Sequence, residues 1–237
     1  MLKNNIMKNN NTFIGTLLNP YWITGFIDAE GCFRVNIYPN ENKKLKFSIS
    51  FTFHISQKEK EILELILKDL NMGQIVWDSQ EKNIKKYMLS SLENCLKLIN
   101  FLDQYPLQTS KFLDYKDFKE AILFWSNKNN QTLEGLIKLK EITKNMNNNR
   151  NLNERHNFLM NQKFNLNPYW IIGFIDGEGC FYCYIQKNTK SPLIQLSLEL
   201  SQSTHDWLIL NQILQELSIL KGSTLGRLKI NEEMKKN

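Results

Sequence analysis

Glu30 and Glu178 hold the same place in two nearly identical segments of a 237-residue chain. Residues 19–33 read NPYWITGFIDAEGCF and residues 167–181 read NPYWIIGFIDGEGCF, an offset of 148 residues, with differences only at Thr24/Ile172 and Ala29/Gly177. A match of this quality at one large offset signals two copies of a domain-sized unit, not a solenoid. Each segment reads as a helix ending at its glutamate. There the carboxylate faces the negative end of the helix dipole, and if the two helices pair side by side, the acids also repel one another. A divalent cation relieves both penalties. Oxygen-only ligands suit Mg2+, with Mn2+ as the alternative. Such an ion activates water and stabilises the leaving oxygen in phosphodiester hydrolysis. Asp28 and Asp176 stand two residues earlier, about 200° around a helix. They do not share the glutamates' face and are assigned a structural role. A helix duplicated for packing alone is the plainer alternative; a duplicated acid at a duplicated helix end argues against it.

The elements that must position these acids are legible around them. Asn19 is a good N-cap and Pro20 suits the first helical position; Gly31 suits a left-handed residue that ends the helix. Asn167, Pro168 and Gly179 repeat the arrangement. Gly25 and Gly173 remove side-chain bulk mid-helix, which is costly in propensity but lets two backbones approach; they are the expected domain interface. Residues 32–38 alternate as a strand, with Phe33, Val35 and Ile37 on one face. Residues 47–70 read as an alternating strand (Phe47, Ile49, Phe51, Phe53, Ile55) running into an amphipathic helix. Residues 193–217 repeat this, with Ile194, Leu196, Leu198 and Leu200 on the core face. Ser56 with Glu59, and Ser203 with Asp206, resemble capping boxes. Short strands are expected near 74–78 and 85–90, and helices near 91–103 and 110–125.

The chain therefore divides into an N-terminal extension (1–18), a first unit (19–125), an Asn- and Lys-rich linker (126–166) with one helix near 132–144, and a second unit (167–237). Each unit is α+β, built on a four-stranded antiparallel sheet. With 42% hydrophobic and 11% aromatic residues the chain has material for two small cores, which excludes a disordered protein. A formal net charge of +6, from 30 Lys+Arg against 24 Asp+Glu, fits a polyanion partner and equally a Lys-rich soluble surface. No apolar run of about 18 residues predicts a membrane span, and the polar start MLKNNIMKNNN has no apolar signal core. Cys180 and Cys183 have CxxC spacing without the further ligands a zinc site needs. With Cys32 and Cys95 they are expected to be reduced and buried. Abundant Asn and Lys, with NNN runs at 9–11 and 147–149, point to AT-rich codons.

ITGFIDAEG (23–31) and IIGFIDGEG (171–179), flanked by Trp22, Trp170, Phe33 and Phe181, resemble the two motifs of single-chain LAGLIDADG homing endonucleases encoded in group I introns. The resemblance covers roughly residues 19–220. It implies two pseudo-twofold αββαββα domains whose motif helices meet at the interface and whose antiparallel four-stranded sheets form a DNA-binding saddle. It also implies site-specific, double-strand cleavage of DNA. The last acid of each motif, Glu30 or Glu178, would bind metal and scissile phosphate. Gln57 in HISQK and Gln202 in ELSQS match a polar residue that positions the catalytic water. Lys111 matches, more loosely, a basic residue at the start of the last helix. The second copy departs from the pattern: after Gly222 the sequence STLGRLKINEEMKKN barely resembles the third and fourth strands, and two helices and a counterpart of Lys111 have no match. That copy reads as incomplete, and bare apolar sheet surface is expected there.

A sheet in the major groove presents alternate side chains to base edges. On that face stand Arg34, Asn36, Tyr38, Ser48, Ser50, Thr52 and His54 in the first unit, and Tyr182, Tyr184, Gln186, Gln195, Ser197 and Glu199 in the second. Lys46 and Lys85, with Lys43, Lys44 and Lys86, are expected to contact phosphate. Two alternatives keep the fold and change the activity: a maturase bound to its own intron RNA, and a DNA-binding remnant that does not cut. The family setting and the codon bias imply a mitochondrial, organelle-encoded protein, monomeric and without a membrane partner.

Overall fold

The computed structural model describes residues 18–186, 193–222, 226 and 228. In chain order it contains α1 (Pro20–Glu30), β1 (Cys32–Pro39), β2 (Phe47–Gln57), α2 (Lys60–Leu70), β3 (Gln74–Ser79), β4 (Ile84–Leu89), α3 (Leu92–Gln104) and α4 (Lys111–Ser126). Then follow α5 (Leu133–Thr143), α6 (Leu152–Met160), α7 (Pro168–Glu178), β5 (Gly179–Gln186), β6 (Leu193–Leu200) and α8 (Trp207–Lys221), with short 3-10 turns between some of them. The first eight elements reproduce the expected order. The tail from residue 223 onward lies almost wholly outside the described residues.

Both motif helices begin as the sequence dictates. Asn19 Oδ1 accepts from the Tyr21 amide and Asn167 Oδ1 from the Tyr169 amide, each at 2.9 Å. They end differently from expectation. Gly31 and Gly179 are extended, at φ −72° and −82°, not left-handed. Their glycine is required by crowding: a Cβ at 31 would lie 2.7 Å from Ile27 O and 2.9 Å from Phe53, and one at 179 would lie 2.5 Å from Ile175 O. The capping boxes are also absent. Helix α2 starts after Glu59, and the Ser203–Asp206 stretch is a 3-10 turn without a side-chain cap.

Helix α1 packs on α7, and the reason is written in Gly25 and Gly173. A Cβ on Gly25 would sit 2.1 Å from Trp170 O, and one on Gly173 would sit 2.0 Å from Trp22 O. Each backbone thus fills the notch in its partner, in the pseudo-twofold manner expected. Indoles lock the crossing: Trp22 Nε1 donates to Asp176 Oδ2 at 2.7 Å and Trp170 Nε1 to Asp28 Oδ2 at 2.9 Å.

The first sheet is antiparallel in the order β1-β2-β4-β3. Register pairs Phe33 with Phe53 and Val35 with Phe51, placing them on one face. That face is roofed by α3 and α4, where Tyr115 and Phe118 close on Phe33 at 5.7 and 5.3 Å between ring centroids. The second sheet has two described strands, paired Phe181 to Leu198 and Cys183 to Leu196. No described helix roofs its apolar face. Phe33 is fully buried, whereas its counterpart Phe181 is 75% exposed, as is Leu196. The same cause overturns expectations for three residues: Ile194 and Leu198 are exposed instead of core, and Cys183 is exposed instead of buried. Cys180, also exposed instead of buried, lies opposite Glu199 on the other face of the sheet.

The linker is more structured than its composition suggests. In α5, Leu136 and Leu139 are buried but Leu133 and Ile137 are exposed. Helix α6 was not anticipated. It is capped by Asn151, which accepts from the Asn153 amide, and is held by buried Arg155 and Leu159. Arg155 donates to Asp114 Oδ2 at 2.9 Å, and Arg150 pairs with Asp114, Asp117 and Glu154. These pairs fasten the linker to α4. Among the described residues no helix is long and apolar enough to cross a membrane.

Candidate active site and nucleic-acid face

The α1–α7 crossing brings the ends of both motif helices together. Burial raises the Glu30 carboxyl above its usual range, and the negative charge of Glu178 raises it further. Burial likewise raises Glu178. Each acid is served by the glutamine of its own half, Gln57 bonding to Glu30 and Gln202 to Glu178. Two half-buried carboxylates whose burial, and for Glu30 also the charge of Glu178, opposes ionisation fit a divalent cation. Among the described residues no three acidic, His or Cys side chains form a metal cluster. An ion held here would therefore complete its shell with water and phosphate oxygen, as Mg2+ does.

Lys111 is the first residue of α4 and reaches the same place. Its Nζ donates to Ala29 O at 3.0 Å and Ile27 O at 3.2 Å, two carbonyls at the end of α1. An ammonium has three N–H donors, so one remains for a substrate or water. Burial lowers its pKa, against the pull of Asp28, Glu178 and Glu30. A cavity of about 390 Å³ opens beside it, lined among others by Lys111, Glu178 and Gln202.

Asp28 and Asp176 take the structural role expected of them, unequally. Asp28 is buried and accepts from Trp170, the Gln108 and Thr109 amides and Thr109 Oγ1. Burial pushes its carboxyl up to about 6, against the downward pull of those bonds and of Lys111. Asp176 is exposed; its counterpart of the 108–109 turn is not among the described residues.

The expected nucleic-acid residues share one open face. Register aligns Arg34 with Thr52, Asn36 with Ser50 and Tyr38 with Ser48, and places His54 opposite Cys32. Asn36 donates to Ser50 at 3.3 Å. In the second sheet Tyr182 pairs with Ser197, Tyr184 with Gln195, and Cys180 with Glu199 on the corresponding face. Gln186 ends β5, and its side chain lies outside the described residues. Lys46 is exposed in the β1–β2 turn and pairs with Glu41 at 3.1 Å. Lys85 departs from expectation. It lies on the core-side parity, opposite Gln57 and Trp77, with its amine 5.0 Å from the Trp77 ring centre. Its neighbour Lys86 is the β4 lysine on the open face, beside Ser56 and bonded to Asp78 at 2.5 Å. Asp78 was missed, since nothing in a lone acid at a strand end marks it.

The sequence matches the family profile described as LAGLIDADG endonuclease over residues 23–122 and 171–236. The chain belongs to the LAGLIDADG endonuclease family. A probable intron-encoded endonuclease, Cox1-I1b of Schizosaccharomyces pombe, is 32% identical over 176 residues, covering 73% of this chain and 42% of that protein. The chain spans about two-fifths of the length of the curated relatives it matches. Among solved structures, the I-LtrWI LAGLIDADG homing endonuclease bound to target DNA superposes with a TM-score of 0.77 at 28% identity, covering 90% of this chain and 74% of that one. I-SmaMI, bound to uncleaved DNA with calcium ions present, shares the fold at a TM-score of 0.76 and 24% identity over 91% of this chain and 76% of that one. The α+β meganuclease fold is thereby established, with a second half whose described part stops after α8.

Proposed function

We propose that this chain is a site-specific, double-strand DNA endonuclease of the homing type, acting as a monomer with Mg2+ or Mn2+. The observation that carries the reading is the meeting of Glu30 and Glu178, each with its glutamine and both within reach of the Lys111 charge, at the crossing of two symmetry-related helices. Glu30 and Glu178 would hold the metal, which supplies an activated water and a counter-charge for the leaving oxygen. Gln57 and Gln202 hold the carboxylates in place and offer their remaining polar atoms to a water in line with the phosphate. The free N–H of Lys111 points to stabilisation of charge on the phosphate or its leaving group. Arg34, Asn36, Gln195 and the tyrosines on the open faces would read base edges, Arg suiting guanine and Asn or Gln adenine. Lys46 and Lys86 would bind phosphate, giving affinity that falls steeply with salt. Relatives are named as intron-encoded or as lying in a cox1 or ND4 intron, and one is named a mitochondrial protein, which supports a mitochondrial, intron-encoded origin.

The bare face around Phe181 and Leu196 favours a second reading, a DNA-binding protein that does not cut. One experiment separates them. DNA captured by the chain from a random duplex library in Ca2+ is transferred to Mg2+ and sequenced for defined ends. Cuts at one fixed position on both strands support the nuclease. Enriched but intact duplex supports the non-cutting binder. Preference for structured RNA over any duplex DNA in competition would support the maturase.

A further inference from the structure

Lys111 owes its position to a turn, residues 108–110, that three separate parts of the chain grip. From α1, Asp28 accepts the Gln108 amide at 2.7 Å and Thr109 Oγ1 at 2.6 Å. From the linker, Arg155 donates to Ser110 O at 3.3 Å and Ser110 Oγ at 3.2 Å. From the second half, Asp206 Oδ1 accepts the Ser110 amide at 3.2 Å, across 96 residues of sequence. Asp206 is buried, and its other oxygen lies 3.2 Å from His205 Nε2. A carboxylate left buried without such partners would cost several kcal/mol, so this one is committed to the contact. Among the described residues the first half shows no equivalent contact. Counting from Gln57 as Asp206 counts from Gln202, the matching residue is Glu61, exposed in the first turn of α2.

We propose that Asp206 is a positioning residue for Lys111: from the second half it fixes the start of α4, so that the lysine amine reaches the glutamate pair only when the halves are docked. The inference rests on the endonuclease reading for its consequence and on the Ser110 contact for its geometry. Asp206 lines the same cavity as Lys111 and Glu178, but both of its carboxylate oxygens are turned to protein partners, Ser110 and His205. It acts through the backbone amide next to Lys111. A misplacement of about 1 Å in a reacting group costs on the order of 100-fold in rate, so the loss falls on turnover and not on DNA affinity.

The test uses the full chain in four forms: wild type, Asp206→Ala, Asp206→Asn and Lys111→Met, plus the Asp206→Ala/Lys111→Met double variant. Single-turnover cutting in Mg2+, DNA affinity in Ca2+ and hydrogen exchange of the Ser110 amide are measured. Asp206→Ala should slow cutting by about 100-fold, leave affinity unchanged within about 3-fold and speed exchange at Ser110. Asn keeps the acceptor oxygen and should restore cutting to within about 3-fold of wild type. The double variant should be no slower than Lys111→Met, because the two act in one path. Additive losses, or wild-type cutting by Asp206→Ala, would overturn the proposal. If Asp206→Ala does not fold, Ser110→Pro removes the same donor at a residue whose φ of −62° suits proline, and normal cutting by that variant would overturn it equally. If the wild type cuts no DNA, the endonuclease reading fails; unchanged Ser110 exchange in Asp206→Ala then sinks the positioning role on its own.

Discussion

Gly25 lies so close to the carbonyl oxygen of Trp170 that a Cβ at position 25 would stand 2.1 Å from it. The symmetry-related contact, Gly173 on Trp22 O, is as tight at 2.0 Å. Alanine is a better helix former than glycine by about 1 kcal/mol, so an isolated helix would gain from the change. Here the clash is with backbone and cannot be relieved by a rotamer. Overpacking of this kind costs about 1–3 kcal/mol or more, which outweighs the gain. Gly25→Ala and Gly173→Ala are each expected to lower the urea midpoint, and by more than Gly222→Ala, where nothing lies within 4 Å and only the left-handed backbone, at φ +71°, opposes a side chain. Equal midpoints for Gly25→Ala and wild type would contradict the interface.

Phe33 and Phe181 occupy the same place in the two copies and should respond differently to truncation. Phe33 is at 0% exposure beneath α4, so Phe33→Ala is expected to cost about 3–5 kcal/mol. Phe181 is 75% exposed, and Phe181→Ala should stay within about 0.5 kcal/mol. Thermal or urea unfolding of the two variants reads the difference directly.

His54 gives a pH signature. Burial first, then the charges of Arg34 and Lys86, lower its pKa from 6.5 to about 4 in the folded chain. Between these values the unfolded chain binds a proton that the folded chain does not. Stability attributable to this residue is therefore full above pH 6.5 and lost as pH falls toward 4. The drop in unfolding midpoint from pH 7 to pH 5 should be smaller for His54→Gln than for wild type. An identical drop would show that His54 is not held neutral.

On the proposed function Lys111 would offer its third N–H to the substrate, so Lys111→Met is expected to reduce the cutting rate by about 100-fold or more while DNA affinity in Ca2+ changes little. Lys111→Arg should recover only part of the rate, since a guanidinium presents a planar fork in place of a compact ammonium. A loss confined to affinity would remove Lys111 from the chemistry and leave it as a phosphate contact.

Much of this architecture was readable because it depends on local pattern. The strict alternation from Phe47 to Ile55, and the Asn–Pro starts of both motif helices, fix their elements by period and capping chemistry alone. The close approach was foreshadowed by Gly25 and Gly173, since mid-helix glycine has few other reasons to exist. What escaped depends on distant partners. Gly31 reads as a left-handed stop, but its backbone is extended, and Ile27 together with Phe53, distant in sequence, crowds out a side chain there. Lys85 and Lys86 differ only in strand parity, which the pairing of Lys85 with Gln57 and of Lys86 with Ser56 settles. Arg155 looks like an ordinary linker charge and Asp206 like a capping-box acid, and their burial depends on partners far away in sequence: Asp114 for Arg155, and the turn before Lys111 for both. The exposed Ile194, Leu196 and Leu198 show the converse: the right period for a core face, without a described element to cover it.

The pairing of Glu30 with Glu178 is the centre of the account, and strand cutting by the two single glutamine variants tests it most directly. The target duplex is labelled on each strand in turn and incubated in Mg2+ with wild type, Glu30→Gln or Glu178→Gln, with binding checked in Ca2+. The account predicts that wild type cuts both strands and that either substitution abolishes double-strand cutting while binding persists. Undiminished double-strand cutting by either variant would contradict it.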